Sequence, residues 1–222
     1  LISHEMLDLI PDTCSSHFVG KRRGHHSSSQ AIINNLLVEM AKEHKYVVRL
    51  KGGDPFLFGR GAEEASFLAS RGVSVEVVPG ITAGISVPAY FGIPLTHRLA
   101  GSSVTFVTGH EVTGKERPVV DWRALARATD GLVVYMGVHN LEYIVQELLA
   151  GGLDPQTPAA VIQQGTVVGQ RYIKTSLDGL IEQVQSHRFL SPSIVVIGDV
   201  LNYQVESCAP NPAKVVFPPV VE

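Results

Sequence analysis

The chain has 222 residues, of which 45% are hydrophobic and 18% charged, enough for one large domain or two small ones with apolar cores. Its formal net charge of −3 and a pI near 6.3 argue against a nucleic-acid binder, whose surface carries a basic excess. Cys14 and Cys208 lie far apart without C-x-x-C spacing, which fits a reduced, cytoplasmic protein, and no apolar run is long enough for a membrane span.

In chain order, residues 1–10 have a helical apolar spacing (Ile2, Met6, Leu9, Ile10) that Pro11 stops. Residues 16–20 read as a short strand, and the loop that follows holds Lys21, Arg22, Arg23, His25 and His26. Residues 30–43 predict a helix with Ile33, Leu36, Leu37, Met40 and Ala41 on one face. The apolar run 46–50 predicts a buried strand, broken by Lys51-Gly52-Gly53-Asp54-Pro55. Gly59 and Gly61 flank Arg60, and a helix starts near Ala62 with Glu63 and Glu64 in its first turn, where the macrodipole favours carboxylates. It stops at Gly72, and 73–78 predict a further strand that turns at Pro79-Gly80 into a short helix ending near Tyr90. This alternation predicts βαβ units on a parallel sheet.

A linker over residues 97–102 divides the chain, giving domains at 1–99 and 100–207 and an extended, proline-rich tail at 208–222. In the second domain the expected strands are 103–108, 132–136, 159–162, 169–175 and 193–197. The expected helices are 121–128, 140–150 and 176–186.

The break after residue 50 is the chemically suggestive stretch. Glycines let backbone approach a ligand closely, Pro55 holds Asp54 in extended geometry, and a loop between strand and helix is where open α/β sheets bind ligands. The same pattern also fits a plain strand-to-helix turn. Neither a G-x-G-x-x-G fingerprint nor a P-loop is present. His25-His26 lacks a third ligand at metal spacing, His110-Glu111 lacks the second histidine of a zincin, and no nucleophile elbow occurs, so no metal site is expected.

Residues 47–64 (VVRLKGGDPFLFGRGAEE) closely resemble the signature of the uroporphyrinogen-III C-methyltransferases within the tetrapyrrole methylase family. Further segments agree in order: residues 19–26, Val77-Val78-Pro79-Gly80-Ile81-Thr82-Ala83, residues 92–98, Val107-Thr108-Gly109-His110 and Tyr135-Met136-Gly137. The resemblance implies a two-domain α/β fold with a parallel-sheet amino-terminal domain, a mixed-sheet carboxy-terminal domain and the ligand cleft between them. It implies a homodimer that methylates uroporphyrinogen III at C2 and C7, using S-adenosylmethionine and releasing precorrin-2 and S-adenosylhomocysteine. It also places a first strand, a Gly/Pro-rich donor loop and an aspartate ahead of Leu1.

By that resemblance, Gly52, Gly53, Asp54, Leu57, Thr82, Ala83, Met136 and Gly165 match donor contacts, with Met136 also near the acceptor. Arg60, Glu63 and Arg98 match substrate positions, as an acceptor with eight carboxylates would require of the two arginines. Glu63 would accept from pyrrole N–H groups or take a proton, and Lys21 matches a lysine proposed for acid/base work. Without the family, Glu63 reads equally as a helix-start carboxylate, Met136 as core packing and Lys21 as a solvated loop cation. The alternatives are a relative acting on a later corrin precursor, a more distant methylase of ribosomal RNA or a modified histidine, and a silent ligand-binding or dimerisation fragment.

Overall fold

The computed structural model describes residues 2, 4–20, 29–109 and 120–208. The chain divides into two compact units, Leu1–Thr82 and Ala83–Glu222. The division falls ahead of the linker expected at residues 97–102, because the helix over residues 83–90 packs on strands of the second unit.

The first unit holds three helices, α1 (His4–Leu7), α2 (Gln30–Glu43) and α3 (Gly61–Ala69). α2 has the predicted bounds. Ser29 caps it by accepting the Ile32 amide at 3.3 Å, and Ile33, Leu37 and Val38 form its buried face. α3 ends where expected, with Gly72 in the left-handed region at φ +75°. α1 is shorter than the apolar spacing predicted, closing at a turn in which the Ile10 amide donates to the Leu7 carbonyl.

The parallel sheet expected in this unit is not found among the described residues: 16–20, 46–50 and 73–78 form no hydrogen-bonded ladder. These runs have strand composition, but a strand exists only where a neighbour takes its N–H and C=O groups. Most of their side chains face solvent accordingly, Val48 being 83% exposed.

The second unit begins with α4 (Ala83–Tyr90) and continues β1 (Thr105–Thr108), α5 (Trp122–Ala128), β2 (Gly131–Tyr135), α6 (Leu141–Ala150), β3 (Pro158–Gln163), β4 (Arg171–Ser176), α7 (Leu180–Ser186) and β5 (Ser193–Gly198). The strands form one mixed sheet in the order β1-β2-β5-β3-β4, in which only β1 and β2 are parallel. Each predicted strand appears within two residues of its expected place at either end.

β2 is buried at all five positions and β3 and β5 at nearly all of theirs, as expected for strands covered on both faces. One face (Leu132, Val134, Val161, Val195, Ile197) packs with Trp122, Ile144, Leu148 and Leu180 of α5, α6 and α7. The other face meets α4 and the 3-10 turn Asp199–Tyr203, which buries Val200 and Leu201. Fully buried side chains such as Ile144 and Leu148 each contribute about 1.5–3 kcal/mol to this core. β4 closes one edge and carries the exposed Arg171 and Lys174, which discourage further pairing.

Candidate functional site

In the first unit the predicted loop is wound tightly. Asp54 accepts the amides of Phe56 at 2.8 Å and Leu57 at 3.1 Å through one carboxylate oxygen, and that of Gly80 at 3.2 Å through the other. The amide protons of Phe56 and Gly80, with a smaller share from Leu57, hold the Asp54 carboxyl below its ordinary value of 3.8. Asp54 thus joins the two loops that sequence reasoning singled out. Gly53 sits at φ +76°, and a side chain on Gly80 would meet the Gly53 carbonyl oxygen at 2.5 Å. Gly52 and Gly53 are exposed and Leu57 is half-buried, while Thr82 is buried at the end of this unit.

Arg60 precedes α3 in the left-handed region at φ 60°. Its Nε donates to both carboxylate oxygens of Glu63, and Nη2 donates to Oε2, so the two predicted substrate groups engage each other. The pairing holds the Glu63 carboxyl below its usual range and raises the Arg60 guanidinium. Among the described residues no hydrogen bond engages Nη1, which leaves it for an outside acceptor.

A buried polar cluster was not anticipated. Glu64, only 4% exposed, accepts from Gln30 at 2.9 Å, Arg49 at 3.3 Å and Lys51 at 3.1 Å. Its signal in the sequence is the alternation Arg49-Leu50-Lys51, which sends two cations to one side of an extended chain.

In the second unit, register gathers the remaining residues at one end of the sheet. β1, β2 and β3 share a direction because β2 and β3 both run antiparallel to β5, so their carboxyl ends fall on one rim. Met136 follows β2 on that rim and Gly165 follows β3. Ala83 joins them, since the amide of Gly84, next to it, donates to the Tyr135 hydroxyl at 2.6 Å. A side chain on Gly165 would meet Val87 Cγ1 of α4 at 2.4 Å, and one on Gly109 would meet the Cα of Gly137 at 2.4 Å, so the rim has no room for a side chain at either position.

Left-handed backbone at residues other than glycine concentrates in these loops. Among the described residues six show it, and Phe58, Arg60, Met136, Gln164 and Thr166 are five of them. Such geometry is costly and gathers at ligand-binding positions. Met136 is 46% exposed, so its side chain is not core packing.

Arg98 is exposed in the turn closed by His97 and Gly101. Ser102 and Ser103 tie this turn to Asp130 just before β2, so the structure does not bring Arg98 beside Met136 and Gly165, which follow strand ends on the opposite rim. A cavity of about 190 Å³ also lies at the Asp130 end, lined by Leu125, Asp130, Gly131, Thr157 and Ile197, and holds none of the predicted residues. Lys21, Arg22, Arg23, His25, His26, His110 and Glu111 lie outside the described residues. Among the described residues no group of three histidine, cysteine or acidic side chains is placed to hold a metal. No helix there is long and apolar enough to cross a membrane.

Against known proteins, the family described as Tetrapyrrole (Corrin/Porphyrin) Methylases matches residues 2–181. A uroporphyrinogen-III C-methyltransferase from Synechocystis sp. is 48% identical over 203 residues, covering 91% of this chain and 77% of the relative. An S-adenosyl-L-methionine-dependent uroporphyrinogen III methyltransferase from Methanosarcina barkeri is 47% identical over 197 residues, covering 89% and 77%. Among solved structures, the uroporphyrin-III C-methyl transferase from Thermus thermophilus complexed with S-adenyl homocysteine superposes with a TM-score of 0.68. It shares 38% identity and covers 78% of this chain and 74% of that one.

Proposed function

Because the chain belongs to the tetrapyrrole (corrin/porphyrin) methylases, we propose that it is an S-adenosylmethionine-dependent C-methyltransferase acting on uroporphyrinogen III, in the branch that leads to sirohaem and cobalamin. The observation that carries this reading is the 47–48% identity, across nine-tenths of the chain, to proteins named for that reaction. In this reading two methyl groups go to C2 and C7, the product is precorrin-2, and the protein works as a homodimer.

S-adenosylmethionine supplies a methyl group activated on a sulfonium, so the protein's task is positioning, solvent exclusion and handling of one proton. Gly52, Gly53 and Leu57 offer backbone and a half-buried apolar side chain to the donor, on a loop that Asp54 fixes. Thr82 and Ala83 extend that set at the start of α4. On the sheet rim Met136 offers its thioether to the adenosine portion, and the close approach of Gly165 to Val87 keeps that rim narrow. These features support a fit to a flat nucleoside bound largely through backbone.

For the acceptor, Arg60 offers the free side of its fork to a carboxylate, and Glu63 sets the guanidinium's direction while facing pyrrole N–H groups. Arg98, solvated in its turn, offers a further cation. Lys21 is assigned the proton transfer.

Titration of S-adenosylhomocysteine into the full chain, followed by mass spectrometry of uroporphyrinogen III incubated with S-adenosylmethionine, tests the assignment. Donor binding and two methyl additions are expected. A chain that binds no S-adenosylhomocysteine and leaves uroporphyrinogen III unmethylated overturns it, and preference for a later corrin precursor moves it to the sister activity.

A further inference from the structure

Glu64 is the buried charged group that the functional reading leaves unused. Its carboxylate takes Gln30 and Arg49 on Oε1 and Lys51 on Oε2, and the same Gln30 nitrogen also donates to Asn34 at 3.0 Å. The cluster therefore joins α2, α3 and the segment before the glycine loop, all within the first unit. Burial of the Glu64 carboxylate is recovered only by full pairing, so stability alone does not account for the cluster. Nor is the pairing full: among the described residues the buried Arg49 Nε has no hydrogen-bond partner.

The position of the cluster in the chain suggests what it does. Lys51 immediately precedes Gly52, and Glu64 lies in the first turn of α3, its amide bonded to the Arg60 carbonyl at 3.1 Å. The Lys51–Glu64 ion pair thus closes residues 52–63 at their two ends. Among the described residues 46–50 have no ladder to fix where Lys51 sits, so this side-chain bridge is its tether.

We propose that Glu64 is a positioning residue for methyl transfer. Through Lys51 and Arg49 it sets the separation of the loop's two ends, and with it the placement of the Gly52–Gly53 backbone and of Arg60, without touching either ligand. The proposal rests on the methyltransferase reading.

A double-mutant cycle on the full chain tests it, using the dissociation constant of S-adenosylhomocysteine by calorimetry. Glu64→Gln, Lys51→Met and the pair are measured at a temperature where circular dichroism shows each folded. Each single change is expected to weaken binding about tenfold, Lys51→Met no more than Glu64→Gln, and the double change no more than Glu64→Gln alone, since that change already removes the Lys51 tie. Ile33→Val, which trims the α2 core without touching the loop's ends, is expected to lower the melting temperature and leave the constant unchanged. Lys51→Met leaves Glu64 its bonds from Gln30 and Arg49, so the tie is still read if Glu64→Gln does not fold. Unchanged affinity in the variants, losses that multiply, or an equal loss in Ile33→Val each overturn the proposal while wild-type binding stands. Failure of the wild type to bind overturns the functional reading and this inference together.

Discussion

Replacing Gly165 by alanine probes how closely α4 and the turn after β3 must approach. The added methyl would stand 2.4 Å from Val87 Cγ1 and 2.8 Å from Cγ2, and Val87 is a buried residue on α4. Because valine is stiff at χ1, it cannot swing aside, and backbone must give instead. Overpacking of this kind costs about 1–3 kcal/mol. For a chain of this size about 2 kcal/mol lowers the thermal midpoint by roughly 4–8 °C. Because Gly165 stands on the proposed adenosine rim, the affinity for S-adenosylhomocysteine should fall about tenfold as well. Calorimetric melting and ligand titration read the two effects. Val87→Ala removes the two obstructing methyls, so the double variant should melt no lower than Val87→Ala alone. Parent-like melting of Gly165→Ala, or additive losses in the double variant, would refute the reasoning.

Asp54→Asn should weaken donor binding before it affects acceptor use, because the amide group places a donor where the carboxylate accepts the Gly80 N–H. Unchanged donor affinity by titration would reduce the loop to an ordinary turn. Arg60→Ala should raise the KM for the acceptor and leave the S-adenosylhomocysteine constant near its parent value, and equal losses in both would show the role wrongly assigned. The Asp54 carboxyl is depressed in the folded chain, so its contribution is present above the ordinary 3.8 and is lost only as pH falls through the lower folded value. Donor binding followed by calorimetry should therefore show no titration of this group between about pH 5 and 8. Gly80→Ala should damage binding more than Gly165→Ala, since its methyl meets the backbone carbonyl of Gly53, which no neighbouring substitution relieves.

The second unit was legible because its strands are covered on both faces and appear as short apolar runs between turn signals, with β5 running Ile194-Val195-Val196-Ile197. The mixed character of the sheet was expected only from the resemblance and not from the residue pattern, since antiparallel insertion of β5 depends on long-range pairing. In the first unit α2 was read to the residue from one apolar face, and its Ser29 cap came only with the structure. Residues 46–50 and 73–78 show the limit of such reading: composition favours a strand, but pairing needs a neighbour. Of the candidate site, the glycines were visible as breaks in pattern. The left-handed Phe58, Met136 and Gln164 were not, because that geometry is uncommon for such residues and depends on tertiary context. Of the adjacent acids, Glu63 drew notice by its resemblance, while Glu64 turns inward on the face of α3 that meets α2.

The strand order has a consequence for how the chain is made. β5 is the last strand to leave the ribosome among the described residues, yet it stands in the middle of the sheet, between β2 and β3. Until residues 193–198 emerge, β1 and β2 can join as one ribbon and β3 and β4 as another, each with a bare apolar edge waiting for the same partner. Completion of the sheet is therefore a late event with long chain separations to close. A nascent chain halted before Ser193 should hold two half-sheets, prone to capture by a chaperone or by each other's counterparts on neighbouring chains.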